Sequence, residues 1–293
     1  MSDSYEFIDG LKYAYPISKM CGWLEVSRSG FYEWRDRPAS ATAERRERLT
    51  EQIIKIFHDE DETYGYRRVH AELARQGIEA GLELVRSIMR AADLVACQPR
   101  PRRHSLTAAG QAGNLCDLLE RDFSALVPGA KLVGDITYID TWEGWLFLAT
   151  VIDCHTKKVI GYAMDDNYKT PLIARAIERA AANMALPDGA IFHSDRGSNY
   201  TSQEFAETLE ALKIRQSVGR TGICFDNAMA ESFFGVLKVE RVHRTQYPTR
   251  EHARRDIARY IEFRYNTRRI HSGLGYNTPQ EVHDAYIARQ AAA

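Results

Sequence analysis

No apolar run in the 293 residues approaches the roughly 18 that would signal a membrane-spanning helix. No membrane partner is therefore expected. Cysteine is scarce and scattered: Cys21, Cys97, Cys116, Cys154 and Cys224 form no C-x-x-C pair. That excludes a disulfide framework or a structural zinc site and fits the reduced thiols of a cytoplasm. The opening residues MSDSYEFIDG lack a basic and an apolar region, so no secretory signal is expected. Several catalytic signatures are missing too. There is no Gly-x-x-x-x-Gly-Lys-Ser/Thr phosphate loop, no His-Glu-x-x-His and no Gly-x-Ser-x-Gly. An excess of one charge is also absent, with 39 basic against 40 acidic side chains and a formal net charge of −1.

Near-neutrality excludes a uniformly basic protein, but distribution matters more than the sum. Residues 111–234 carry 11 basic against 17 acidic side chains, whereas residues 235–275 carry 10 against 4. An acidic middle followed directly by a basic segment calls for an explanation.

Residues 1–42 read as a helix-turn-helix-like segment, with Ile17 to Leu24 apolar-periodic, a Ser/Gly break and then Phe31 to Trp34. Residues 43–97 repeat apolar positions at helical spacing: Leu49, Ile53, Ile56 and Phe57, then Val69 and Leu73, then Val85, Ile88 and Met89. Three short helices make a bundle, a common frame for a DNA-reading helix and equally for a purely structural unit. Residues 98–125, with Arg100, Arg102 and Arg103 among prolines, read as a basic flexible linker.

From Lys131 the period changes. Lys131–Thr141, Trp145–Asp153 and Lys158–Met164 predict a strand meander. Helix at Thr170–Ala185, with Thr170 as its cap, strand at Ala190–His193, helix at Ser202–Leu212, strand at Ile214–Val218 and helix at Asn227–Val242 follow. The fold class is thus α/β, a mixed sheet over residues 126–242 whose order resembles the ribonuclease-H-like fold. Residues 243–293 form a basic helical extension.

Three acids sit where acids are expensive. Asp135 interrupts an apolar strand, Asp195 closes another, and Glu231 lies on a largely apolar helix. An ionised carboxylate is buried at a cost of several kcal/mol unless it is paired or binds a metal. Singly, each has a bland reading as an edge residue, a turn former or a solvent-facing helix residue. Together they can converge on one point. Carboxylate oxygens without His or Cys suit Mg²⁺ or Mn²⁺, and two such ions clamp an in-line phosphoryl transfer. Asn227, Glu231 and Lys238 fall on one helical face, where a cation beside a metal-bound phosphodiester is useful; Lys238 is equally readable as a solvated lysine.

At these residues the sequence closely resembles the catalytic subunit of IS-three family insertion-sequence transposases, with their retroviral-integrase-like core. The matching words are Gly134–Tyr138, His193–Tyr200, Asp226–Phe234 and Arg264–Pro279, with Tyr64–Val69 upstream. Thirty-five residues separate Asp195 from Glu231, the spacing of this D,D,E group, and Lys238 holds the family's basic position. Leu132 and Phe225 depart from a usual Trp, and Asn199 from Gln. The resemblance implies a ribonuclease-H-like integrase core behind a small all-helical DNA-binding region. It implies DNA transposition by end cleavage and strand transfer, with Asp135, Asp195 and Glu231 holding two Mg²⁺ or Mn²⁺ ions. Double-stranded DNA, both terminal inverted repeats and target, is the implied partner. A homo-oligomer and an upstream helix-turn-helix/leucine-zipper protein are implied as well. Candidate DNA contacts are Lys238, Asn227, Arg241, Arg244, Arg264, Arg268, Arg269, His271, Arg67 and Arg68, besides the three linker arginines. Rival readings are a nuclease that cuts without joining and a catalytically silent DNA-binding regulator.

Overall fold

The computed structural model describes residues 2–38, 40–98, 116–120, 122–219 and 227–292. Arg100, Arg102 and Arg103 lie outside the described residues. The chain opens with α1 (Ser2–Gly10), α2 (Ile17–Trp23) and α3 (Arg28–Asp36). Ser27 caps α3, its hydroxyl accepting from the Gly30 amide at 3.2 Å. Tyr5, Ile8, Met20, Cys21 and Phe31 give these three helices a small core of their own.

The second unit is α4 (Ala41–Asp59), α5 (Tyr66–Arg75) and α6 (Leu82–Ala91). Its core consists of the residues whose helical spacing predicted them, Leu49 to Met89, gathered round Tyr64. Burying each Leu, Ile, Val, Phe or Met side chain contributes about 1.5–3 kcal/mol. One member comes from far along the chain: Ile270 packs into this core, and its amide donates to Tyr64 Oη at 2.9 Å.

The sheet comprises β1 (Lys131–Ile139), β2 (Leu146–Asp153), β3 (Val159–Asp165), β4 (Ile191–Ser194) and β5 (Arg215–Val218). Their order is β3-β2-β1-β4-β5. β1 to β3 run antiparallel as the expected meander, and β4 and β5 join parallel to β1. The parallel strands need crossovers, supplied by α7 (Thr170–Asn183) and α8 (Gln203–Ala211). This is the ribonuclease-H-like arrangement expected. One detail differs: Lys169, not Thr170, is the cap residue of α7, and Pro171 sits in the first turn. Proline tolerates that position because its missing N–H has no helical partner there.

Beyond the sheet lie α9 (Ala228–Glu240), α10 (Arg250–Arg259), a π-helical turn (Tyr260–Tyr265) and α11 (Pro279–Ala291). Each sheet face has its own core. Leu132, Ile160, Ile173, Ile177, Phe192 and Phe205 pack on the α7–α8 side. Val133, Ile139, Phe233, Leu237, Ile257 and Ile261 pack on the α9–α10 side. Strand side chains alternate, so Asp135 is turned toward α9 with Val133 and Ile139.

Candidate active site

The register of β1 and β4 does most of the positioning. Val133 pairs with His193 in parallel, the last pair between the two strands, and Asp195 follows directly on the end of β4, on the side toward which β1 runs on to Asp135. Gly134 permits this close packing, since a Cβ there would lie 2.2 Å from the Phe192 ring. α9 supplies the third acid. Its Ala230, Phe233, Phe234 and Leu237 are buried against the sheet, which leaves half-buried Glu231 beside the site in the first turn. A carboxylate there gains from the positive end of the helix dipole.

The electrostatics bind these residues into one group. Burial, then the charge of Asp195, and more weakly that of Glu231, push the Asp135 carboxyl up to about 7. The Ile136 amide, donating to Asp135 Oδ1 at 2.8 Å, and the Lys238 ammonium pull it back. Burial lowers the Lys238 ammonium, and Asp135 opposes that. Asp195 is exposed and accepts from the Gly197 amide at 2.9 Å.

Tyr200 is buried within electrostatic reach of both aspartates; burial first, then their charges, raise its phenol well above the usual value. It forms an apolar wall with Phe192 and Phe205. It lies inside the motif His193–Tyr200, but nothing in its pattern separated it from an ordinary core tyrosine.

Among the described residues, no three His, Cys, Asp or Glu side chains close on one point tightly enough to hold an ion. The donor chemistry nonetheless fits a hard divalent cation: carboxylate oxygens alone, in mutual repulsion that a cation relieves. A contrasting case is Asp153, fully buried yet satisfied by the Gly129 amide at 2.8 Å and by the amide and hydroxyl of Thr156. Asp153 is structural. So is His193, buried with Nδ1 2.8 Å from Ser217 Oγ.

Several expected DNA contacts turn inward. Asn227 is 6% exposed; its Nδ2 donates to the Gly134 carbonyl at 3.1 Å, while Oδ1 finds no partner among the described residues. It anchors the start of α9 to β1 next to Asp135. Arg269 is 3% exposed and clasps Glu240, itself 4% exposed, with Nε at 2.9 Å. Arg68 Nη1 reaches the same carboxylate at 3.7 Å. Arg264, half-buried, and Arg268, which stays exposed, both reach Glu60 just after α4, Arg268 Nε at 2.9 Å. Arg244 donates to the Asp61 carbonyl at 2.6 Å, and Arg241 Nε to Asp256 at 2.7 Å. The His271 imidazole is lowered to about 3 by burial and by the nearby Arg269 and Arg68, so it carries no charge at neutral pH. The arginines among them are paired with acids within the chain. That tertiary pairing could not be read from the sequence. Arg67 is different: it is exposed, with its guanidinium over the Tyr66 ring at 4.9 Å.

The integrase core domain family matches residues 126–224, a second integrase core domain family matches residues 212–279, and an HTH-like domain family matches residues 44–103. Transposase InsF for insertion sequence IS3A of Escherichia coli K12 is 35% identical over 292 residues, covering 97% of this chain and 99% of the relative. An uncharacterized 31 kDa protein of insertion element IS600 from Shigella sonnei is 35% identical over 268 residues, covering 91% and 98%. Among solved structures, the HTLV-2 integrase catalytic core domain in complex with magnesium aligns with a TM-score of 0.44 at 17% identity, covering 54% of this chain and 98% of that one. The simian T-cell lymphotropic virus intasome in complex with a PP2A regulatory subunit aligns at 0.46 and 17%, covering 73% and 70%. Matched along nearly its whole length by transposases at this identity, the chain belongs to the IS-three family of insertion-sequence transposases and is a DDE-type transposase.

Proposed function

We propose that the chain cuts the ends of its insertion sequence and joins them to target DNA by metal-dependent phosphoryl transfer at Asp135, Asp195 and Glu231. The observation that supports this most is that the three acids feel one another: burial first, then the charges of Asp195 and Glu231, push Asp135 up, and Lys238 opposes them. The three carboxylates would hold two Mg²⁺ or Mn²⁺ ions, which when bound supply Lewis-acid activation and neutralise charge at the phosphodiester. In cleavage, a water oxygen bonds to the scissile phosphorus as the bond to the 3′ oxygen breaks, leaving a 3′-hydroxyl on the element strand. In joining, that hydroxyl oxygen bonds to a target phosphorus and the target's 3′ oxygen departs with a proton.

The protein's own part is to orient and exclude. The Ile136 and Gly197 amides hold the two aspartates, the Tyr200 wall keeps water from their back, and Lys238 offsets phosphate charge. Exposed cations such as Arg67 on the helical unit grip duplex phosphates. Pairing two inverted-repeat ends calls for a homo-oligomer, and an upstream helix-turn-helix/leucine-zipper protein completes end recognition, in the bacterial cytoplasm on the nucleoid.

Incubation with labelled end DNA and Mg²⁺ tests the reading. Glu231→Gln is expected to abolish both nicked and joined products while end binding stays within a few fold. Full activity of that variant sinks the assignment, and nicked products without joined ones from the unaltered chain reduce it to a nuclease.

A further inference from the structure

We propose that Tyr138, Trp142 and Trp145 form a stacking platform for unpaired bases of the DNA strand beside the scissile phosphate. The proposal rests on the DNA-cleaving reading above and extends it to a surface outside the acidic group. Tyr138 lies three residues beyond Asp135 on β1, about 10 Å along the strand, and is 55% exposed. Trp145, across the β1–β2 hairpin, is 49% exposed, and its ring meets that of Tyr138 edge to face with centroids 4.9 Å apart. Trp142, in the hairpin turn, is 75% exposed.

The turn that carries these rings is firmly built. The Trp142 amide donates to the Tyr247 carbonyl at 3.1 Å, and Thr141 Oγ1 to the Gly144 carbonyl at 2.6 Å. Glu143 Oε2 accepts from the Arg250 amide at 2.8 Å, and Arg250 Nε donates to the Trp145 carbonyl at 3.0 Å. Well-anchored backbone therefore holds three large rings out in water.

Cations flank the rings. Lys238 Nζ stands 4.8 Å from the Tyr138 ring centroid, and the Arg250 guanidinium lies at the Trp145 backbone. Aromatic faces interleaved with cations suit single-stranded DNA, because bases stack on the rings while the cations follow the phosphates. Bases paired within a duplex keep their faces covered and offer only edges. Lys238, whose ammonium stands by the Tyr138 ring, is on α9 seven residues after Glu231, so one helix links the platform to the acidic group. Asp140 and Glu143 share the turn and Glu143 is engaged by the Arg250 amide, so Lys238 at the Tyr138 ring is what favours a polyanion over a second copy of this chain as the occupant.

The test uses the full chain without divalent metal, titrated with labelled oligodeoxythymidylate and, separately, with a duplex of the same length. Trp142→Ala is expected to weaken oligodeoxythymidylate binding roughly tenfold, Trp142→Phe to retain most of it, and duplex affinity to hold in both. Trp145→Phe and Trp145→Leu give the same comparison at the neighbouring ring, and melting curves verify folding. Equal oligodeoxythymidylate affinity in Trp142→Ala and the unaltered chain overturns the platform. So does a Trp142→Ala variant that loses self-association in sedimentation velocity while keeping that affinity, which assigns the surface to a second copy. No cleavage occurs in this assay, so absence of end cutting by the metal-loaded chain counts against the proposed function and leaves the binding result standing.

Discussion

Gly134 separates Val133, which packs under α9, from Asp135, which feels the charges of Asp195 and Glu231. Its missing side chain admits the Phe192 ring, which a Cβ would meet at 2.2 Å. Overpacking a close-packed core costs about 1–3 kcal/mol, and here the strain falls on the backbone next to an acid. Gly134→Ala is expected to lower the melting temperature and strand cleavage together, and Gly134→Ala with Phe192→Leu to restore much of both. If the double variant melts no higher than the single one, the Phe192 contact is not the reason for the glycine. Asn227, whose amide reaches the Gly134 carbonyl, shows the complementary device, a polar side chain spent on holding a helix to that strand.

At the scale of elements, α9 has two ends with different duties. Near its start it presents Glu231; at its end Glu240 is buried, accepting from Arg269 and from Tyr260 Oη at 2.8 Å, with Arg68 of α5 at 3.7 Å. One carboxylate thus joins the acid-bearing helix, the C-terminal arm and the helical unit. Removing one partner of a buried pair leaves an uncompensated charge at a cost of about 3–5 kcal/mol, whereas an apolar replacement of the whole pair is often neutral. Glu240→Gln is therefore expected to melt well below the unaltered chain, and Glu240→Leu with Arg269→Met to recover most of the loss, as read by thermal denaturation. Wild-type melting of Glu240→Gln contradicts the junction.

The whole molecule explains the charge pattern. The basic segment 235–275 carries ten basic side chains against four acidic, and much of that excess is answered within the chain. Arg244, Arg264 and Arg268 meet Glu60, Asp61 and Glu62 just after α4, and outside the segment Arg75 of α5 meets Glu281 of α11 at 2.5 Å. The segment therefore clamps the helical unit to the sheet domain, with Ile270 seated in the helical core. Under the proposed function, phosphate contacts fall instead to exposed cations such as Arg67. Arg67→Gln is expected to reduce the slope of log affinity for end DNA against log salt by about 0.9. Arg269→Gln should leave that slope unchanged and lower the melting temperature. An equal loss of slope in both variants returns Arg269 to the DNA surface.

Helical periodicity from Leu49 to Met89 and strand-like runs from Lys131 onward sufficed to place most elements within a residue or two, because burial on one face imposes those periods. The three acids were legible for a related reason: a carboxylate inside an apolar strand or helix stands out against its neighbours. The sequence by itself therefore determined the elements, the sheet class and the acidic candidates. Only the tertiary structure decided which cations are spent on Glu60, Asp61 and Glu240, and which aromatic rings stay in water. Charge pairing across 29 residues at Glu240 and across 183 or more at Asp61 and Glu60, like the exposure of a hairpin, depends on which elements meet, and no local pattern encodes that meeting.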